Sequence, residues 1–290
     1  MLDMPSGNAV GVNENCTIIV GTVGTIFPYS IYWKEGSIPE NMGYLRGGYL
    51  TEVSAVSGNG LTAVGTGNTT GDECLVKRAF RWSKDRRPQM EDLGVPDGYD
   101  ESHATDLNDT GTVIVGHCHQ VAGGVDAFCW DESSGTRRMI KLPAPQGALE
   151  NSTRLCRANG SNKDGTLIVG DCKLENGSTQ AVCWLGNTRT VITLPLLENG
   201  IRAQANAVSR LIISHDDVIV GGVHHQPIHN ACGLLEASSR YPYIPYRKSQ
   251  RFPRTSPRFL VFKCEWSKSR WDCYRGEVFI RRNTWDAKPL

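Results

Sequence analysis

The sequence lacks any apolar run approaching the roughly 18 residues that a membrane-crossing helix needs. It lacks a surplus of either charge: 31 Lys and Arg stand against 30 Asp and Glu, a formal net charge of +1. A chain built throughout for bulk electrostatic binding is thereby excluded. Sustained apolar spacing of ~3.6 residues is missing, which excludes a helical bundle. No G-x-S-x-G, H-E-x-x-H or C-x-x-C occurs, and Gly21-Thr22-Val23-Gly24-Thr25 has neither the lysine nor the spacing of a phosphate-binding loop. The opening Met1-Leu2-Asp3-Met4-Pro5-Ser6-Gly7 lacks the basic stretch and apolar run of a signal peptide. It fits either a cytosolic protein or a chain without its original beginning, and a repeat that starts near residue 9 favours the second.

Glycine is abundant, at 31 of 290 residues, and its placement is periodic. The pair Val-Gly recurs at Val20-Gly21, Val64-Gly65, Val115-Gly116, Val169-Gly170 and Val220-Gly221, with glycines 44, 51, 54 and 51 residues apart. An alanine precedes each pair (Ala9, Ala55, Ala104, Ala158, Ala207), and a turn rich in Gly, Asp or Asn lies between. A tryptophan follows in four copies, Trp33, Trp82, Trp130 and Trp184, and three units close on Leu93-Gly94, Leu142-Pro143 and Leu194-Pro195. The clearest unit, 102–151, reads as four short strands separated by turn signals, with Thr112–Cys118 the β-branched central strand. This spacing predicts an all-β fold, a partial β-propeller of four-stranded blades of about 50 residues. Its units are 5–50, 51–101, 102–151, 152–201 and a partial 202–236. A β-sandwich needs no such period, and a parallel β-helix needs shorter coils. Two apolar faces per blade demand neighbours, so the repeated Val, Gly and Trp read as core, not as a binding site.

Ala79-Phe80-Arg81-Trp82 followed by Leu93-Gly94 resembles the HAF-type extracellular repeat of bacterial surface and secreted proteins. Asp126-Ala127-Phe128-Cys129-Trp130 is close to it. Gln180-Ala181-Val182-Cys183-Trp184 departs by a valine, and Ser30-Ile31-Tyr32-Trp33 departs further. The resemblance spans about 230 of the 290 residues and rests on five copies in one register. Such repeats often form autotransporter passengers, and the cysteine content resembles the chlamydial members. The resemblance implies export and display in the secreted fraction or at the outer-membrane surface. It supplies no catalytic set.

Among ten cysteines, Cys118 and Cys129 are 11 residues apart about a glycine turn, as are Cys172 and Cys183. A hairpin folded about each turn's centre sets the members opposite one another, near disulfide reach. They are either two blade-stapling disulfides or paired small buried residues that stay reduced. A zinc site from Cys118, His119 and Cys129 has ligands in one blade only. His224, His225 and His229 enclose Gln226-Pro227, which argues against a helical metal site and for a solvated loop. No catalytic, cofactor or metal residue is assigned. The strand ends offer His103, Asp106, His117 and Asp171, but not one residue type in successive blades.

After Glu236 the pattern stops before its expected tryptophan. Residues 237–290 hold 13 basic and 4 acidic residues (+9), and residues 1–236 hold 18 and 26 (−8). This tail, with Trp266, Trp271 and Trp285 among its basic residues, shows no period and reads as irregular. It fits an out-of-frame or unrelated translation, a disordered tail or a basic binding element. No nucleic-acid motif accompanies it, so no nucleic-acid partner is expected. The leading expectation is a non-enzymatic binding or adhesion passenger, a fragment of a longer autotransporter. Its partners are a host or surface ligand such as a protein, and the remaining blades or barrel of the parent. A propeller enzyme acting at a blade-end face and a functionless remnant are the alternatives.

Overall fold

The computed structural model describes residues 7–70, 75–132, 137–194 and 202–208, and the backbone of strands at 217–224, 258–267, 270–281 and 284–287. The described residues form a partial β-propeller. The first blade is the meander β1 (Gly7–Val12), β2 (Ile18–Val23), β3 (Tyr29–Lys34), β4 (Glu40–Asn41). The second is β5 (Thr51–Val56), β6 (Thr62–Thr70), β7 (Leu75–Ser83), β8 (Met90–Asp92). The third is β9 (Tyr99–Leu107), β10 (Val113–Gln120), β11 (Val125–Asp131), β12 (Arg138–Lys141). The fourth is β13 (Cys156–Ser161), β14 (Leu167–Lys173), β15 (Thr179–Leu185), β16 (Thr190–Thr193). A fifth begins with β17 (Arg202–Val208) and β18 (Asp217–His224) and is joined to the fourth by a single parallel pair, Thr179 with Arg202.

Each junction between blades holds one apolar cluster. Val20, Tyr32 and Met42 of the first blade meet Val53, Phe80 and Trp82 of the second. Val64 and Leu93 meet Leu107, Ile114 and Trp130. Val115, Cys129 and Leu142 meet Ala158, Ile168 and Trp184. Val169, Cys183 and Leu194 meet Ala203, Ala205 and Val208. Val20, Val64, Val115 and Val169 of the Val-Gly pairs and the closing Leu or Met thus face the following blade, and Trp82, Trp130 and Trp184 face the preceding one. This division explains why the unit is repeated: either face alone would expose a large apolar area. Trp33 faces outward from the first blade and is only half-buried.

The first and second strands of each of the four complete blades join through the same turn. Asn13 Oδ1 accepts from Ile18 N at 2.8 Å, Asn108 Oδ1 from Val113 N at 3.0 Å, and Asn162 Oδ1 from Leu167 N at 2.9 Å. Ser57 Oγ does the same for Thr62 N at 3.0 Å. This is the physical content of the repeated Ser or Asn: its side chain satisfies backbone donors that the turn would leave buried. Three residues on, Gly60, Gly111 and Gly165 take positive φ of 74°, 70° and 78°. The turns also bond to each other, Glu14 N to Gly58 O and Asp109 N to Lys163 O, both at 3.1 Å. Lys163 Nζ reaches Glu14 across 3.3 Å, so these turns gather near the propeller axis.

Two expectations need correction. Cys118 does not face Cys129, and Cys172 does not face Cys183. Cys118 pairs with Asp126 and Cys129 with Val115, while Cys172 pairs with Gln180 and Cys183 with Val169. The hairpins turn earlier than the glycine-centred reading assumes. Cys118 faces Asp126, three residues before Cys129, so the pairing sum of opposed residues shifts by an odd number. An odd shift sends the two thiols to opposite faces of the sheet. Cys118 lies in the cluster facing the second blade and Cys129 in that facing the fourth. Cys172 instead forms a disulfide with Cys156, its direct register partner on β13, with Cα atoms 4.1 Å apart. Cys118, Cys129 and Cys183 are free and buried.

The second correction concerns residues 237–290. Within this segment lie β19 (Arg258–Ser267), β20 (Arg270–Arg281) and β21 (Thr284–Ala287). Phe-Leu-Val-Phe at 259–262 and Val-Phe-Ile at 278–280 supply the β-favouring residues. β19 pairs parallel with β18, whereas every neighbouring pair within the four complete blades is antiparallel. The strands therefore extend the sheet that already holds the fourth blade, β17 and β18, without reproducing the blade meander.

Candidate functional site

The first strands of successive blades pack against one another, β1 on β5, β5 on β9, β9 on β13 and β13 on β17, which makes them the inner strands. In every blade the inner strand bulges at the same place. The residue opposite the glycine of Val-Gly and the residue opposite its valine are separated by one unpaired residue: Val10, Ser54, Thr105, Asn159 and Asn206. The repeated alanines split across this bulge. Ala9, Ala104 and Ala158 oppose the glycine, whereas Ala55 and Ala207 oppose the valine.

The bulge explains the glycine. A Cβ on Gly116 would come within 2.0 Å of His103 O, and one on Gly170 within 2.0 Å of Arg157 O. Gly65 and Gly21 meet Glu52 O and Asn8 O at 2.1 and 2.5 Å in the same way. Only a residue without a side chain admits the carbonyl there. Two bulge residues clasp the next blade: Thr105 Oγ1 donates to Ala158 O at 2.7 Å, and Asn159 Nδ2 to Ala205 O at 3.0 Å.

One step beyond the glycine, every blade carries a cross-strand pair of polar or small residues. These are Asn8 with Thr22, Glu52 with Thr66, His103 with His117, Arg157 with Asp171, and Gln204 with Gly222. Asn8, Glu52 and Arg157 are exposed, His103 and Gln204 half-buried. The layer is linked from blade to blade. Thr66 Oγ1 of the second blade lies 3.3 Å from His103 Nδ1 of the third, and Asn159 Nδ2 of the fourth blade donates both to Asp171 Oδ1 of its own blade at 2.8 Å and to Ala205 O of the fifth at 3.0 Å. His117 is held down to about 3, mainly by burial and then by His103, Arg157 and His119. Burial likewise pulls His103 down, and it pushes the Asp171 carboxyl up against the pull of Asn159, Arg157 and Arg202.

The third blade adds His119, opposite Glu101, to this layer. His103, His117 and His119 each offer a ring nitrogen, and these atoms all lie within 4.8 Å of one another. The His103 and His117 rings stack at 4.9 Å and 9°, with His119 at 5.2 and 5.5 Å from them. Glu101 Oε2 lies 3.7 Å from His103 Nε2. Cys118 points to the opposite face, so no thiolate enters the group.

The residues singled out in the repeat thus fall into two classes. Val20, Val64, Val115 and Val169 are fully buried at 0% exposure, their glycines close the bulge, and Trp82, Trp130 and Trp184 fill the junctions. The side chain of Val220 lies outside the described residues, as do those of His224, His225 and His229. His103, His117 and Asp171, legible as strand-end residues, are brought into one layer, while Asp106 accepts from Ser161 N at 3.0 Å at the adjacent blade junction. Glu101, Arg157, Glu52 and Thr66 escape the sequence reading, which sets His119 with Cys118 and Cys129 rather than with His103 and His117. The signal for three of them is position: Thr66 follows a Val-Gly directly, as His117 and Asp171 do, and Glu52 and Arg157 precede the residue opposite the glycine.

No family model and no curated protein matches the chain. Among solved structures it is similar to TolB from Acinetobacter baumannii, with a TM-score of 0.46, 11% identity, and coverage of 76% of this chain and 52% of that one. A putative TolB from Agrobacterium tumefaciens gives 0.43 and 11%, covering 64% of each chain. A fucose lectin from Kordia zhangzhouensis gives 0.31 and 15%, covering 49% of this chain and 96% of the lectin. The chain thus spans about half the length of the Acinetobacter protein. At these values none of the likenesses bears on activity.

Proposed function

We propose that this chain is a non-enzymatic binding module of an exported bacterial surface protein of the HAF-repeat type, with its inner-strand polar layer as the recognition surface. The observation that carries this reading is the contrast within each blade. The backbone register, bulge and glycine are constant, while the pair beyond them changes from Asn-Thr to Glu-Thr, His-His and Arg-Asp. A fixed frame bearing variable polar side chains suits recognition of a polar ligand. The Cys156–Cys172 disulfide supports an oxidising compartment.

The test is saturable binding of the full chain to immobilised extracellular-matrix proteins and glycans. Glu52→Ala and Arg157→Ala, both at exposed positions, are expected to weaken binding several-fold without changing the melting temperature. Equal binding by both variants overturns the assignment to this layer. A second reading, an enzyme working at the same face, is favoured by His117 and Asp171, whose titrations are displaced in opposite directions in adjacent blades. Turnover of a lactone, glycoside or peptide that His117→Ala abolishes would establish it.

A further inference from the structure

We propose that His103, His117 and His119 form a binding site for a divalent first-row transition ion of the zinc or copper class. The site stands whether or not the surrounding layer recognises a surface ligand. His117 and His119 are two apart on β10 and so project from one face of the strand. His103 is the direct partner of His117 on β9, which brings the third imidazole to that face.

Two independent observations point to a ligand. First, the three ring nitrogens already lie within 4.8 Å of each other. A tetrahedral ion with bonds of about 2.0–2.1 Å sets its ligands roughly 3.3 Å apart. Small ring rotations, eased by the partial exposure of the group, close that difference. Second, Nδ1 of His117 is buried and has no hydrogen-bond partner. An orphaned buried imidazole nitrogen carries a cost that an ion relieves.

The surroundings fit the chemistry. With an ion on Nε2 of His103, its Nδ1–H donates to the Thr66 hydroxyl 3.3 Å away, which orients the ring. Glu101, 3.7 Å from His103 Nε2, supplies negative charge and a fourth oxygen donor. It offsets Lys77 and Arg157, whose charges also act on the histidines. Three imidazoles with a carboxylate and no thiolate suit zinc(II), copper(II) or nickel(II) rather than calcium or magnesium.

The experiment titrates the full chain with zinc alone against a chromophoric chelator of micromolar affinity, and with copper(II) alone followed by electron paramagnetic resonance. One equivalent of each ion is expected, with nitrogen hyperfine structure in the copper spectrum. His119→Gln and His117→Ala should each weaken zinc binding at least tenfold while leaving the far-ultraviolet circular dichroism unchanged. If His117→Ala fails to fold, His119→Gln with His103→Gln decides. Thr66→Val should weaken binding about tenfold. Cys118→Ser, and a variant with His224, His225 and His229 all replaced by Gln, should bind as the parent does. Absence of saturable binding overturns the proposal. So does full affinity in the folded blade-three variants, or loss of binding confined to the His224, His225 and His229 variant.

Discussion

At the scale of single residues the repeat exposes its own exceptions. Cys16 occupies the turn position held by Gly60, Gly111 and Gly165 in later blades, and it adopts φ of 59°. An L-residue in the left-handed region costs roughly 1–2 kcal/mol. Cys16→Gly is therefore expected to stabilise the chain by about 1 kcal/mol, part of the gain being lost to the freer unfolded glycine. Chemical denaturation of the two proteins checks it. A second residue-scale feature is Arg81, buried at 2% exposure between the second and third blades. It bonds Glu91 at 2.6 Å and Glu132 at 2.7 Å and lies 4.6 Å from the Trp130 ring. Burial alone would raise the Glu132 carboxyl, but Arg86, Arg81 and Arg137 outweigh it and hold it at about 2. A carboxyl depressed in the folded state contributes stability above its unfolded value, about 4.3. That contribution disappears as pH falls through the folded value. The stability difference between the parent and Glu132→Gln should be constant above pH ~5 and vanish by about pH 2. Melting curves across that range measure it.

At the scale of elements the sequence carries strand existence well and hairpin register poorly. The β-branched Thr112–Cys118 segment and the Gly123-Gly124 turn locate β10 and β11 without ambiguity. They do not settle which residue begins the turn: Gln120 N bonds Gly124 O at 3.0 Å, one tight turn earlier than a glycine-centred hairpin. Because side chains alternate, a three-residue error in the pairing sum changes every face assignment, and the cysteine pairing with it. The same limit hides the polar layer. His117 and Asp171 read as isolated strand-end residues until the bulge fixes which inner-strand residue stands opposite. The disulfide is testable directly. Peptide mapping of unreduced, exported protein is expected to link Cys156 to Cys172 and to find Cys118, Cys129 and Cys183 as free thiols. The bridge closes a loop across a sequence separation of 16. Its removal in Cys156→Ser with Cys172→Ser should cost roughly 3 kcal/mol by the chain-entropy account.

At the scale of the molecule, stability is distributed over junctions, and the first blade presents a face that no junction covers among the described residues. In each of the next three blades a cross-strand row packs on the preceding blade: Val56, Ala63 and Trp82; Leu107, Ile114 and Trp130; Ser161, Ile168 and Trp184. All nine side chains are buried. The corresponding row of the first blade is Val12, Ile19 and Trp33. There Val12 is 51% exposed, and Ile19 and Trp33 line a shallow depression with Ile31. The same chemistry thus has opposite consequences at the two places. Trp184→Ala empties a packed junction and should lower stability by about 3–5 kcal/mol. Trp33→Ser removes apolar surface that has no neighbouring blade, so it should leave the melting temperature nearly unchanged. An uncovered apolar strand row invites association between copies. The parent chain is accordingly expected to elute from size-exclusion chromatography as concentration-dependent oligomers, and Trp33→Ser to shift that distribution towards monomer. Light scattering on the eluted peaks at two loading concentrations measures both. A monomeric parent with a cooperative melt that Trp33→Ser lowers as far as Trp184→Ala does would mean that the first-blade row is packed after all.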